Sequence, residues 1–377
     1  MSVGAPLRYQ GSNYLRQRLV LSTISGRPVV ITDIRVKDEQ PGLRDYEASF
    51  VRLLDKVCDG SDISIDETGT TLRYTPGQII GGSGLVHTCP NSRGLTYFLE
   101  ALLLLAPLAK QPMTVRLKGV TNSGTDPTCD TFRTATLPLL AKFGISENLT
   151  FKILKRGAPP EGGGEVILTC PIVKAITPVE LLNEGKVKRV RGVAYTTRVS
   201  PQFAARMVDA ARGVLNDFLP DVWIYSDHTK GPTTGNSPGY GVSLVAETIT
   251  RTLKSSDACA DLSAPDSGAG DGEDGLDTPE GVGRAAARRL LAEIDLDGVV
   301  DTAHQALVLY FLSLGEEIRP GRVRLSRLSP AAAQMLRHIR DFLGVVFQIR
   351  EDHHGDSDTV VLSCVGAGIT NTARRTF

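Results

Sequence analysis

Little in this chain marks an address or a reaction. Its 42 lysines and arginines balance 42 aspartates and glutamates, so net charge does not argue for nucleic acid and any basic surface must be local. Six cysteines, at 58, 89, 129, 170, 259 and 364, are scattered without a C-x-x-C pair, which fits buried free thiols rather than a disulfide framework or a zinc site. The longest apolar run, Ala101 to Ala109, is too short to span a bilayer and contains Pro107, so no membrane association is expected. The first residues lack a secretory apolar region, which suggests an intracellular protein, and no strong nuclear-import cluster stands out. Aromatic residues make up only 6% and are not interleaved along the chain with the basic groups, so stacking of single-stranded nucleic acid is not indicated.

What the chain does have is a glycine-rich stretch between two alternating segments, KRGAPPEGGGEVILTCPIV from Lys155 to Val173. Leu149 to Leu154 before it and Glu165 to Cys170 after it read as strands. Pro159-Pro160 and Gly162-Gly163-Gly164 stop a helix and permit a tight connection, and three glycines let a backbone approach something flat or charged. On the residues alone an ordinary β-hairpin suffices.

The elements around it recur. Gly11 to Gly26 suits a helix and Pro28 to Arg35 a strand. Arg44 to Cys58 suits an amphipathic helix with Phe50, Leu53, Leu54 and Val57 on one face, followed by strands Asp62 to Asp66 and Thr71 to Tyr74. The order helix, strand, helix, strand, strand returns about 80 residues on, at Arg93 to Lys110, Met113 to Val120, Thr131 to Phe143 and the hairpin. It returns again at Gly298 to Leu314, Arg322 to Leu328, Pro330 to Leu343, Val345 to Ile349 and Thr359 to Val365. An α/β fold of three layered lobes about a pseudo-threefold axis is predicted. Residues 1–184 would hold lobes one and two and the start of lobe three, and 298–377 its completion. Residues 185–297 have their own pattern: strand Val187 to Thr196, helix Pro201 to Phe218, strands Val222 to Ser226, Gly241 to Glu247 and Thr248 to Lys254, and helix Gly283 to Ile294. This reads as a small inserted α/β domain. Its stretch 257–280, without lysine or arginine, reads as a mobile acidic loop, with a protein-binding segment as the sharper alternative.

These residues carry a resemblance. Pro160-Glu-Gly-Gly-Gly-Glu-Val166 is similar to the Pro-(any)-Gly-Gly-Gly-Glu-Val signature of the RNA 3'-terminal phosphate cyclase family. Gly11-Ser-Asn-Tyr-Leu-Arg-Gln-Arg-Leu-Val-Leu-Ser, Gln40-Pro-Gly-Leu-Arg44 and Thr177-Pro-Val-Glu-Leu-Leu follow in the family's order, so the resemblance covers almost the whole chain. Gly42-Leu-Arg-Asp-Tyr-Glu-Ala-Ser-Phe, Leu53-Leu-Asp-Lys, Val199-Ser-Pro-Gln and Gly241-Val-Ser-Leu-Val-Ala-Glu-Thr resemble the family's non-catalytic eukaryotic branch, which serves small-subunit ribosome biogenesis. The resemblance implies three lobes with an inserted domain, a place in the nucleus and nucleolus, and no cofactor. It also implies association with a nucleolar GTPase of the small-subunit processome and with the pre-ribosomal particle, pre-rRNA as a further partner, and a need in early cleavages that release small-subunit rRNA.

It implies site residues too. Arg16, Arg35 and Arg44 match positions where catalytic cyclases hold phosphates, and guanidinium forks suit phosphate oxygens. Taken singly, they are surface arginines at the ends of elements. Where catalytic members carry a Ser/Thr-His-Leu-Thr/Ser run, with the histidine becoming adenylylated, this chain has Ser326-Arg327-Leu328-Ser329. Arg327 stays cationic and has no lone pair with which to attack the α-phosphorus of ATP. Ser12-Asn13-Tyr14 replace the family's Gly-Gln-Ile and would crowd a nucleotide. ATP-dependent cyclisation is therefore not expected, and no catalytic residue is assigned.

His87, His228 and His304 read as structural or surface residues. Glu351, Asp352, His353, His354, Asp356 and Asp358 read as a solvated turn rather than a metal site. Two basic groups remain. Lys186, Lys188, Arg189 and Arg191 would contact RNA or a partner, with strand alternation placing Lys188 beside Val190 and Arg189 beside Arg191. Arg337, His338 and Arg340 would form a partner-binding face on the last long helix. The enzymatic alternative, a pre-rRNA endonuclease, needs carboxylates near a phosphate cradle, and Asp126, Asp130 and Glu161 are its candidates.

Overall fold

The leucine-rich stretch lies at the centre of the molecule. Helix Leu95–Leu105 is buried along its whole length apart from partly exposed Glu100, as a helix without a polar face must be. It packs against helix Leu15–Ser25 and helix Gln305–Leu314. Tyr310 Oη donates to the Leu104 carbonyl at 2.9 Å across one of these contacts. The computed structural model that shows this describes residues 5–260, 275–354 and 357–371, a mixed α/β chain.

Each lobe is a four-stranded sheet with two helices. In the first, β1 (Leu7–Gln10) lies parallel to β2 (Val29–Thr32). After β3 (Cys58–Asp59), β4 (Asp62–Ile65) and β5 (Leu72–Thr75) complete the order β1-β2-β5-β4, and β6 (Gln78–Ile79) pairs back on β3. The second lobe contains β7 (Gly82–Thr88), β8 (Met113–Gly119), β9 (Thr150–Lys155) and β10 (Gly164–Cys170), in the order β7-β8-β10-β9. β11 (Glu180–Leu181) opens the third lobe. The chain then builds a fourth sheet from β12 (Val187–Thr197), β13 (Val222–Thr229), β14 (Gly239–Thr248) and β15 (Leu253–Cys259), in the order β13-β12-β14-β15. It returns with β16 (Pro320–Leu325), β17 (Gln348–His354) and β18 (Ser357–Val365) to finish the order β11-β16-β18-β17.

The repeat is therefore one strand longer than the sequence pattern suggests. The extra strand leads each lobe and is hard to read: β1 and β11 have only 4 and 2 residues, and β7 opens Gly-Ser-Gly. Other boundaries shift for local reasons. Lobe two's second helix spans 129–141 and passes through a π segment, Phe132–Thr136, ahead of Pro138, which has no N–H to give to the preceding turn. The helix expected from Gly298 begins only at Gln305. Gly298, at φ 82°, presses on the β16 end, where a Cβ would stand 2.5 Å from the Ser326 nitrogen. Residues 249–252 turn instead of extending, so β15 runs to Cys259 and takes the first residues of the acidic stretch. Helix Pro279–Asp295 takes its last ones, and 261–274 lie outside the described residues.

One apolar core runs through all three lobes, and a second belongs to the fourth sheet and its helices Gln202–Leu215 and Pro279–Asp295. The fourth sheet is fastened to the lobes by polar groups. Asp257 accepts from Thr128 N at 2.7 Å and Thr131 Oγ1 at 3.0 Å in lobe two. Asp301, ahead of the third-lobe helix, accepts from Ser255 N at 2.8 Å and Ser255 Oγ at 2.6 Å. Lys254 Nζ lies 2.6 Å from Glu184 and donates to the Glu293 carbonyl at 2.9 Å. Among the described residues no helix is long and apolar enough to cross a membrane.

Candidate functional site

The run Ser326-Arg327-Leu328-Ser329 links β16 to helix Pro330–Leu343. Ser329 Oγ accepts from Ala332 N at 3.2 Å, an N-cap reinforced by Pro330 in the first turn. Buried Gln305 clamps the run from behind. Its Nε2 donates to Ser326 Oγ at 3.3 Å and to the Arg327 carbonyl at 3.2 Å, and its Oε1 accepts from Ser329 N at 2.8 Å. The backbone is thus held on both sides of Arg327, while its guanidinium is exposed and makes no hydrogen bond or ion pair among the described residues.

The histidines whose side chains are described are each engaged by neighbouring groups. His304 is buried, with Nδ1 2.5 Å from Asp301 and Nε2 2.7 Å from Thr136 Oγ1. Burial opposes its protonation, but the Asp301 carboxylate outweighs that and raises its pKa. His87 is buried against Ser49 Oγ, and desolvation with Lys56 and Arg52 pushes it down to about 4. His228 Nδ1 lies 2.9 Å from Thr196 Oγ1. The Glu351 to Asp358 group lies partly outside the described residues, and among those described no three metal-ligating side chains converge.

Arg16, Arg35 and Arg44 do lie near one junction, that of lobes one and two, but each brings a counter-ion. Arg16 donates to the Tyr97 carbonyl at 2.6 Å and to Glu100 at 2.6 Å. Arg35 forms a two-pronged pair with buried Glu47 at 2.6 and 2.8 Å, and Glu47 also accepts from Arg44 N at 2.8 Å. The Arg44 side chain reaches Asp38 at 3.0 Å and is one-third exposed. Sequence reasoning missed a fourth member, Arg93. Its guanidinium lies 4.7 Å from the Tyr97 ring centre, as does that of Arg16, and grips Asp126 at 2.8 and 2.5 Å. Its place at the start of the second lobe's first helix, two residues ahead of Leu95, compares with that of Arg16 in the first turn of Leu15–Ser25, and is the signal that would have found it. An incoming phosphate must displace carboxylates from this set.

The same geometry corrects the endonuclease candidates. Asp126 is bound to Arg93 and to Gly94 N. Fully buried Asp130 is gripped by Arg156 at 2.6 and 2.9 Å, with Arg133 at 3.1 Å and Asn122 beside it. Burial would raise the Asp130 carboxyl, but these partners hold it below its usual range, as a fixed anion rather than a base. Glu161 is an exposed turn residue whose backbone N–H donates to Ser237 Oγ.

Arg156, in the opening glycine-rich stretch, joins two parts of the chain. Beyond Asp130 of lobe two it reaches Asp227 of β13 at 2.7 and 2.9 Å, and it lies 5.1 Å from the Tyr195 ring centre. The glycines beside it serve this contact between chain segments. Gly162, at φ 60°, accepts from Asn236 N at 2.9 Å, and a Cβ on Gly163 would stand 2.9 Å from the Asn236 side chain. A cleft of about 410 Å³ opens here, lined by Arg93, Asn122, Thr125, Pro159, Tyr195 and Gly239.

The two basic groups fare differently. Arg337 and Arg340 are exposed on one helix, but His338 is not with them. It is fully buried, accepting at Nε2 from Gln334 at 2.9 Å, with Nδ1 3.2 Å from Gln17 Oε1. Burial, with Arg18 nearby, pushes its pKa down to about 4. His338 falls in the stripe of Ala332, Met335, Ile339 and Phe342, which removes it from any direct partner contact. In the other group Arg189 pairs with Glu247 at 2.6 Å and Arg191 with Asp221 at 2.8 Å. A bulge between Val187 and Arg189 takes Lys188 off the buried face of Val190, and it is exposed.

A larger concavity, about 780 Å³, lies on the outer face of the third-lobe sheet, with Arg322, Arg324 and Arg350 on its lining. Arg324 Nε is buried there without a hydrogen-bond partner among the described residues. Alternation of Arg322 and Arg324 along β16 would have revealed it.

Comparison with known proteins gives a consistent picture. The model of a family described as RNA 3'-terminal phosphate cyclase matches residues 7–349. An RNA 3'-terminal phosphate cyclase-like protein of Mus musculus is 49% identical over 373 residues, covering 98% of this chain and 97% of the relative. A probable RNA 3'-terminal phosphate cyclase-like protein of Dictyostelium discoideum is 48% identical over 374 residues, covering 98% and 100%. An rRNA processing protein of Schizosaccharomyces pombe is 42% identical over 378 residues, covering 100% and 99%.

Proposed function

This chain belongs to the RNA 3'-terminal phosphate cyclase family, and from that premise we propose that it is a member that serves pre-rRNA processing and does not run the cyclase reaction. It acts as a binding scaffold of the small-subunit processome, in the nucleus and nucleolus, for the early cleavages that release small-subunit rRNA. A nucleolar GTPase and the pre-ribosomal particle are its partners, with Arg337 and Arg340 facing the GTPase and pre-rRNA as a further contact. Of the first-lobe arginines, Arg44 is the one offered to an anion, since both it and Asp38 are open to solvent.

The observation that carries this reading is Arg327. Attack on the α-phosphorus of ATP needs a lone pair, and the position holds an exposed guanidinium, which has none to offer, on a clamped backbone. The rRNA processing relative supports the cellular role. Depleting the protein should make uncleaved small-subunit precursor accumulate, and re-expressing the chain should restore the mature species. Unchanged precursor levels on depletion would overturn the reading.

A further inference from the structure

One face of the fourth sheet is covered by its two helices, and the other is covered only in part. Val190, Ala194, Val222, Ile224, Leu244 and Ala246 fill the apolar core under the helices, so their neighbours along each strand point the opposite way. On that opposite face the registers set Asp227 beside Tyr195, Tyr225 beside Val193, and Trp223 beside Arg191. The lobes cover one region of it: Asp227 is held by Arg156, Ser243 and Asp257 by Thr131, and Ser255 by Asp301. The remainder is open. Trp223 and Tyr225 are 56% and 59% exposed, with ring centres 6.0 Å apart, on an edge strand.

The charges at this end are accessible. Lys186 and Lys188 and, in the β14–β15 turn, Arg251 are exposed, and their side chains have no hydrogen bond or ion pair among the described residues. Among the described residues Arg191 forms one ion pair, with Asp221, itself about half exposed, and also donates to the Val190 carbonyl at 2.8 Å. Both members of this pair are open to water, which screens it, so a phosphate can replace the carboxylate. A cavity of about 270 Å³ lies against Tyr225, with Arg191, Val193 and Val245 on its walls. Aromatic and basic residues that are far apart along the chain are thus brought side by side by strand pairing.

We propose that this open region binds single-stranded RNA, with bases stacked on Trp223 and Tyr225 and phosphates met by Arg191, Lys188 and Lys186. Two rings two residues apart on one strand present successive stacking surfaces, and neighbouring cations follow the backbone. An acidic protein segment would satisfy the cations but not the pair of exposed rings, and a duplex keeps its base faces inside. The inference deepens the pre-rRNA contact of the proposed function and rests on that part of it alone; a protein that did form an adenylyl adduct could carry the same platform, so the two fail separately.

Trp223 is the only tryptophan of the chain, so its emission reports on the site directly. Titrating the full chain with a short oligoadenylate RNA should give saturable quenching, with affinity falling as salt rises. Trp223→Ala, read by the anisotropy of labelled RNA, should weaken binding on the order of tenfold, while Trp223→Phe should retain most of it. Lys188→Glu should weaken it without altering the thermal melt. Absence of quenching would overturn the proposal, as would equal quenching by a blunt duplex. Equal quenching by polyglutamate would also overturn it, in favour of an acidic protein partner.

Discussion

Where chain segments pack together, Arg16, Arg35, Arg93 and Arg156 each close on a carboxylate within 2.5–2.6 Å, whereas at the rim Arg327, Lys186 and Lys188 face solvent with no such partner among the described residues. Both sets are cations on loops or element ends, and charge alone does not separate them. Burial does. A guanidinium in a low-dielectric junction must bring its counter-ion, which fixes geometry and leaves nothing for a ligand. A cation in water has no such need and remains available to a polyanion. The arginines that match phosphate-holding positions therefore belong mostly to the fold, and the accessible charges lie elsewhere.

The largest effect is expected at Arg156. It is 3% exposed and makes the two-pronged grip on fully buried Asp130, so Arg156→Ala should cost about 3–5 kcal/mol in urea unfolding, leaving that carboxylate only Arg133 and Asn122. A loss under 1 kcal/mol would place Arg156 with the rim cations.

Buried histidines sharpen the comparison next. His87 and His338 have folded pKa values near 4, depressed first by burial and then by neighbouring cations. The unfolded chain takes up protons at about pH 6.5, so stability should fall as pH drops from about 7 towards 4, on the order of 2 kcal/mol for buried His338. His338→Gln should flatten that slope in urea melts at stepped pH. His304 carries the opposite sign: paired with Asp301, its folded pKa is raised, so its contribution is present below about 6.5 and lost as pH rises through the folded value.

Smaller effects follow. Arg16→Ala removes a partly exposed pair with Glu100 and a ring contact, and should cost about 1 kcal/mol by the same melts. Arg337→Ala with Arg340→Ala should leave stability within about 0.5 kcal/mol of the parent. The double variant should nonetheless weaken capture of the GTPase, and unchanged affinity across several salt concentrations would remove that face from the account.

The threefold repeat was legible because Asp45–Val57 and Pro330–Leu343 carry a 3.6-residue apolar period over 13 and 14 residues, while Leu95–Leu105 and Gln305–Leu314 stand out as apolar runs. The leading strands were not, since four residues of β1 or two of β11 carry too little pattern to separate from a loop. At the site, Arg327 could be read from its neighbours in sequence. The partners of Arg16 and Arg156 could not, since Glu100 lies 84 positions from Arg16 and Asp227 lies 71 from Arg156. The same limit hid the Trp223–Arg191 neighbourhood, which exists only once β12 and β13 pair. His338 was recoverable, because its spacing from Met335 already sets it in the apolar stripe.

Loss of adenylyl chemistry at Arg327 can be read from the intact mass of the pure protein after incubation with ATP and a divalent cation. The mass should stay unshifted, with no covalent AMP. A protein-bound adenylyl group, stable to denaturation and mapped to any residue of this chain, would contradict it.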